Sequence, residues 1–79
     1  MQIIRTIPHK KCNVTIFLWN NKYLIKLEHE RFEQTYKIPV YDLAGEADLD
    51  RILSDGFIEE SVARFEQMAE TLGKALASL

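Results

Sequence analysis

The sequence predicts an α+β fold: a four-stranded antiparallel meander, then a short helical turn and one long C-terminal helix packed on one face of the sheet. Three observations predict it. Residues 2–38 alternate in character and are rich in β-branched and aromatic types between polar breaks, the period of half-buried strands. Residues 57–78 repeat apolar side chains at steps of three and four, the period of an amphipathic helix. With 79 residues the chain fills one hydrophobic core, so it reads as a single domain, with the meander in 1–40 and the helical part in 48–78.

The strands follow in order. Gln2 to Ile7 forms the first, closed by Pro8. Cys12 to Trp19 is the second, with Cys12, Val14, Ile16 and Leu18 on one face and Asn13, Thr15, Phe17 and Trp19 on the other. Asn20 and Asn21 tolerate positive φ, which a two-residue hairpin turn requires, so Lys22 to Glu28 returns as the third strand. A second reversal at His29 and Glu30 leads into Arg31 to Ile38, and Pro39 ends this fourth strand because it cannot donate to a ladder.

Two-residue turns dictate a register. In the first hairpin Trp19 opposes Lys22, Leu18 opposes Tyr23, Ile16 opposes Ile25 and Val14 opposes Leu27. In the second, Glu28 is expected opposite Arg31, Leu27 opposite Phe32, Lys26 opposite Glu33 and Tyr23 opposite Tyr36. One face then gathers Val14, Ile16, Leu18, Tyr23, Ile25, Leu27, Phe32, Tyr36 and Ile38. The other carries Thr15, Lys22, Lys26, Glu28, Arg31, Glu33 and Lys37.

Beyond Tyr41 to Ala47, read as a loop, Asp48 is expected to cap a helical turn reaching Leu53. Ser54, Asp55 and Gly56 interrupt, and the long helix runs from Phe57 to about Ser78. Glu59 and Glu60 near its start and Lys74 near its end suit the helix dipole. Ile58, Val62, Phe65, Ala69, Leu72, Leu76 and Leu79 make a heptad-like seam, and Gly73 within it marks a weak point or a close approach by another backbone.

Composition narrows the function classes. The chain is 47% hydrophobic and 28% charged, the balance of a folded domain. Its longest apolar run, Ile16 to Trp19, is far short of the roughly 20 residues a membrane helix needs. Arg5, His9, Lys10 and Lys11 stand near the N-terminus without the apolar stretch of a secretory signal, so the chain is read as cytoplasmic. Net charge is −2, which argues against a strong nucleic-acid or membrane binder. The charge is unevenly spread: residues 1–41 hold seven basic side chains against three acidic, and residues 42–79 hold three against nine.

Catalytic and metal-binding patterns are sparse. His9, Cys12 and His29 are the only imidazole and thiol groups, and the register sets Cys12 beside His29. A structural zinc site takes four ligands at close spacing, so Cys12 is read as a small buried hydrophobe, with no metal expected. Neither a phosphate-binding glycine loop nor a nucleophile elbow is present. No cofactor and no enzymatic activity are expected.

Two surfaces remain as candidates. Four strands make a sheet roughly 19 Å wide, whereas a helix with side chains is about 10 to 12 Å across, so one long helix leaves core face uncovered. Leu49, Ile52 and Leu53 can cover some of the remainder, and a second copy of the long helix would cover it better. With one cysteine and no disulfide, a domain of this size gains from self-association. On the opposite sheet face Phe17, Trp19 and Leu24 cluster among Lys22, Lys26 and Lys37. Such a patch is buried against protein, or stacks bases and tracks a phosphate backbone.

The order of four antiparallel strands and one long helix resembles the β4-α module of Whirly-type and Pur-type single-stranded nucleic-acid-binding proteins. The resemblance spans most of the chain as topology and includes no sequence signature. It implies a dimer and a base-stacking sheet surface at Phe17, Trp19, Lys22 and Lys26. The leading expectation is therefore a small, non-enzymatic homodimeric interaction module. The competing expectation is a single-stranded DNA or RNA binder on the basic, aromatic sheet face.

Overall fold

The computed structural model describes all 79 residues. Four strands, β1 (Gln2–Pro8), β2 (Asn13–Trp19), β3 (Lys22–His29) and β4 (Phe32–Pro39), form one antiparallel sheet in the order β1-β2-β3-β4. A 3-10 turn (Val40–Asp42), a short helix α1 (Ala47–Ile52) and a long helix α2 (Asp55–Ala77) complete the chain. The predicted α+β class and meander are present.

The first hairpin has the expected register throughout, from Trp19 opposite Lys22 to Val14 opposite Leu27. Asn20 and Asn21 both take positive φ, 50° and 59°, as a type I′ turn demands. The second hairpin corrects the sequence reading. Its turn is Glu30–Arg31, so His29 opposes Phe32, Leu27 opposes Gln34, Tyr23 opposes Ile38 and Lys26 opposes Thr35. Arg31 sits in the turn and not opposite Glu28. The displacement is two residues, which conserves the face of every side chain because the strand period is two.

The two registers place the charges differently. The expected register would set Lys22 opposite Lys37, whereas the observed one sets Lys22 opposite Pro39 and Leu24 opposite Lys37. It does oppose Glu28 to Glu33, but the Lys26 ammonium lies between them, 3.9 Å from Glu28 and 3.2 Å from Glu33. The Lys26–Glu33 pair thus survives as a diagonal contact. Glu30 takes φ of 54°, a left-handed conformation that a side chain adopts at some cost.

β1 carries a bulge at Ile4. Gln2 opposes Leu18 and Ile3 opposes Phe17 before it, and Arg5 opposes Ile16 after it. This turns both Ile4 and Arg5 towards the core face. Ile4 packs against the core, and the Arg5 guanidinium reaches Asp50 of α1 at 2.6 Å.

The core lies on one sheet face only. Val14, Ile16, Ile25 and Leu27 are fully buried, with Cys12 and Tyr23, beneath Leu49 of α1 and Ile58 and Phe65 of α2. α1 therefore fills the width that α2 leaves open, and the core closes within a single chain. Asp48 does not cap α1: Glu46 holds the N-cap position without a side-chain bond, and the Asp48 carboxylate accepts from the Ala44 amide at 2.9 Å. α2 starts earlier than expected because the Ser54 hydroxyl accepts from the Phe57 amide at 3.3 Å, turning the anticipated break into a helix start.

Candidate interaction surfaces

α2 runs antiparallel to β4 along the edge of the sheet. The Phe57 ring is 5.1 Å from Tyr36, the Gln34 amide donates to the Ser61 carbonyl at 2.8 Å, and the Phe65 ring is 5.9 Å from His29 near the hairpin end. Arg64 donates to the Tyr36 hydroxyl at 3.3 Å. Ser61, fully buried, returns its own hydroxyl to the Phe57 carbonyl at 3.0 Å, so its burial leaves no unmatched donor.

The helix outruns the sheet. Its 23 residues span about 35 Å, against about 23 to 27 Å for strands of seven or eight. The expected seam accordingly divides: Ile58 and Phe65 are buried and Val62 and Leu72 half-buried, whereas Ala69 is exposed, Leu76 is 49% exposed and Leu79 is 98% exposed. A Cβ placed on Gly73 would meet nothing within 4 Å, so no part of this chain closes on that glycine. The radius of gyration, 14.3 Å, exceeds the about 11.6 Å expected of a compact chain of this length.

A groove of about 630 Å³ follows from this arrangement. Phe32 and Gln34 of β4 form one wall, and Arg64, Gln67, Met68, Thr71, Leu72 and Ala75 of α2 form the other. A smaller hollow continues past the β3–β4 turn between Phe32, Leu72, Gly73 and Leu76. The sequence pattern places Leu72 and Leu76 on the helix seam and Phe32 on the core face of the sheet, and it does not single out Met68. Met68 lies beside the seam, three residues after Phe65, and its spacing is the signal that could have found it.

The second sheet face has no helix over it. Ile3, Phe17, Leu24 and Lys37 form one row across the four strands, and Trp19, Lys22 and Pro39 the next. Phe17, Trp19, Leu24, Lys22 and Lys37 thus come together as expected, with Lys26 one row further on beside Thr15 and Thr35. Leu24 is only 7% exposed although it lies outside the core cluster, while Trp19 is 46% exposed.

His9, Cys12 and His29 also come together, at the sheet end that carries Lys10 and Lys11. Both imidazoles are engaged nearby: His9 Nδ1 accepts from the Lys11 amide at 3.1 Å, and His29 Nε2 is 3.8 Å from the Glu30 carboxylate. The Lys11 ammonium pairs with Glu59 of α2 at 3.1 Å, tying the β1–β2 loop to the helix. Burial pushes the Cys12 thiol above its usual pKa of 9.0, the opposite of an activated nucleophile. Above pH 9 the unfolded chain loses this proton while the folded chain retains it, so stability falls as pH rises through that range. We expect Cys12 to react slowly with a disulfide reagent at pH 8 in the native protein and fast in urea. Equal rates in both would place the thiol at the surface.

No helix is long and apolar enough to cross a membrane. No family model, no curated protein and no solved structure matches the chain.

Proposed function

We propose that the protein is a non-enzymatic interaction module that works as a homodimer, with the exposed apolar strip of α2 at or near the interface. The observation that carries this reading is the overhang: past Phe65, the last buried residue of α2, the seam continues through the half-buried Leu72 to the exposed Leu76, with Leu79 just beyond the helix end. An apolar strip held out on a rigid helix costs solubility and is ordinarily covered by another polypeptide. Its sequence continuity with the buried Ile58 and Phe65 and the half-buried Val62 supports a surface of the same character as the core.

A second reading is favoured by one specific feature. Trp19 is partly exposed on an uncovered sheet face, directly opposite Lys22, an arrangement suited to stacking a base beside a phosphate contact. Glu28 and Glu33 on the same face oppose it. The two readings separate under salt. Molar mass from light scattering at rising ionic strength should hold or increase for an apolar dimer, whereas Trp19 quenching by mixed-sequence single-stranded DNA should reverse. Saturable, salt-reversible quenching of a monomer would replace the first reading with the second.

A further inference from the structure

We infer that the second copy pairs edge to edge along β4, antiparallel and centred on Thr35, joining two sheets into one of eight strands. This rests on the self-association proposed above and specifies its geometry.

The two edges of the sheet differ. β1 is interrupted by the Ile4 bulge, a feature that discourages strand addition, and Arg5 on it is tied to α1. β4 is regular over eight residues, with proline only at its last position. The Val40 amide donates back to the Asn21 carbonyl at 2.9 Å. By the alternation of an antiparallel ladder, Phe32, Gln34, Tyr36 and Ile38 therefore turn their backbone groups towards β3. Glu33, Thr35 and Lys37 turn theirs outward, where β4 has no neighbouring strand. Their side chains are all exposed.

Only odd-numbered residues can thus bond across this edge, which restricts the registers of a symmetric pair to a few. Charge selects among them. Centring on Thr35 sets Glu33 opposite the partner's Lys37, and Lys37 opposite the partner's Glu33, with the two threonines facing at the axis. Lys37 has no carboxylate within 4 Å in its own chain, so it is free for this contact. On the core side the same register sets Phe32 opposite the partner's Ile38. Both residues are partly exposed at present. Moving the centre by one residue in either direction still faces odd residues with odd ones but loses the charge match: centring on Gln34 sets Lys37 opposite the partner's Arg31, and centring on Tyr36 sets Glu33 opposite the partner's Pro39. Because α2 lies along β4, both apolar grooves fall on one side of the joined sheet.

The test is a charge exchange read by sedimentation equilibrium. Glu33→Lys alone and Lys37→Glu alone each convert two attractive pairs to repulsive ones and should raise the dimer Kd by about tenfold or more. The double variant restores both pairs and should return Kd to within about threefold of wild type. Lysine at 33 faces Glu28 but gives up the 3.2 Å contact with Lys26, so circular dichroism of each variant checks that the fold is kept. Wild-type hydrogen exchange gives a reading free of variants: the Glu33, Thr35 and Lys37 amides should be protected in the dimer and exchange freely on dilution below Kd. Unchanged Kd in all variants, failure of the double to recover, or free exchange in the dimer would overturn the edge pairing while leaving self-association standing. A wild-type chain that stays monomeric at every concentration would overturn the self-association itself.

Discussion

Replacing Phe65 with alanine is expected to lower the stability of the fold by about 3 to 5 kcal/mol, the usual cost of removing a buried phenylalanine and leaving its cavity. Phe65 is 3% exposed and is the last residue of α2 buried in the core, with its ring against His29. A chain of 79 residues has roughly 4 to 12 kcal/mol in total, so the loss takes a large share. Urea unfolding followed by far-ultraviolet circular dichroism checks it: the midpoint should fall sharply, with native ellipticity retained in dilute buffer or lost altogether. A midpoint equal to wild type would mean that α2 is not anchored through this ring.

The second large effect concerns assembly. Leu72→Asp should leave the sheet and the first half of α2 folded, because the deeply buried residues of that helix end at Phe65. It should raise the dimer Kd by about a hundredfold or more, since each copy would bring an unpaired carboxylate into an apolar contact. Leu72 lines both the groove against β4 and the hollow beyond the hairpin, so it belongs to the whole strip. Analytical ultracentrifugation beside circular dichroism distinguishes the outcomes. A folded variant that dimerises like wild type would remove Leu72 from the interface, and loss of the helical signal would show that it carries the fold instead.

Local chemistry made most of the fold legible. Paired asparagines announce the first hairpin, and alternation along Cys12 to Trp19 assigns the two faces. The second turn was less legible because His29, Glu30 and Arg31 carry no glycine, asparagine or proline to mark it. Its observed position sets His29 opposite Phe32 and brings the His29 ring against Phe65 of α2, a tertiary contact that local sequence does not reveal. The bulge at Ile4 was invisible for the same reason: it shows only once β1 must follow β2.

The candidate surfaces were partly legible. Phe17, Trp19, Leu24, Lys22 and Lys37 converge because the first hairpin register was right and a two-residue slip in the second preserves faces. The helix seam was read as a single stripe, yet the structure divides it after Phe65, because sheet length and not periodicity sets how much is covered. Sheet width does not call for a second copy, since α1 completes the core with Leu49, whereas the overhang of α2 and the open edge of β4 support one.

The most direct test of self-association is the molar mass of the wild-type protein by light scattering, from low to high micromolar concentration. The mass should rise to a plateau at twice the 9.2 kDa chain mass. A mass of 9.2 kDa across the whole range, from a protein with native circular dichroism, would contradict it.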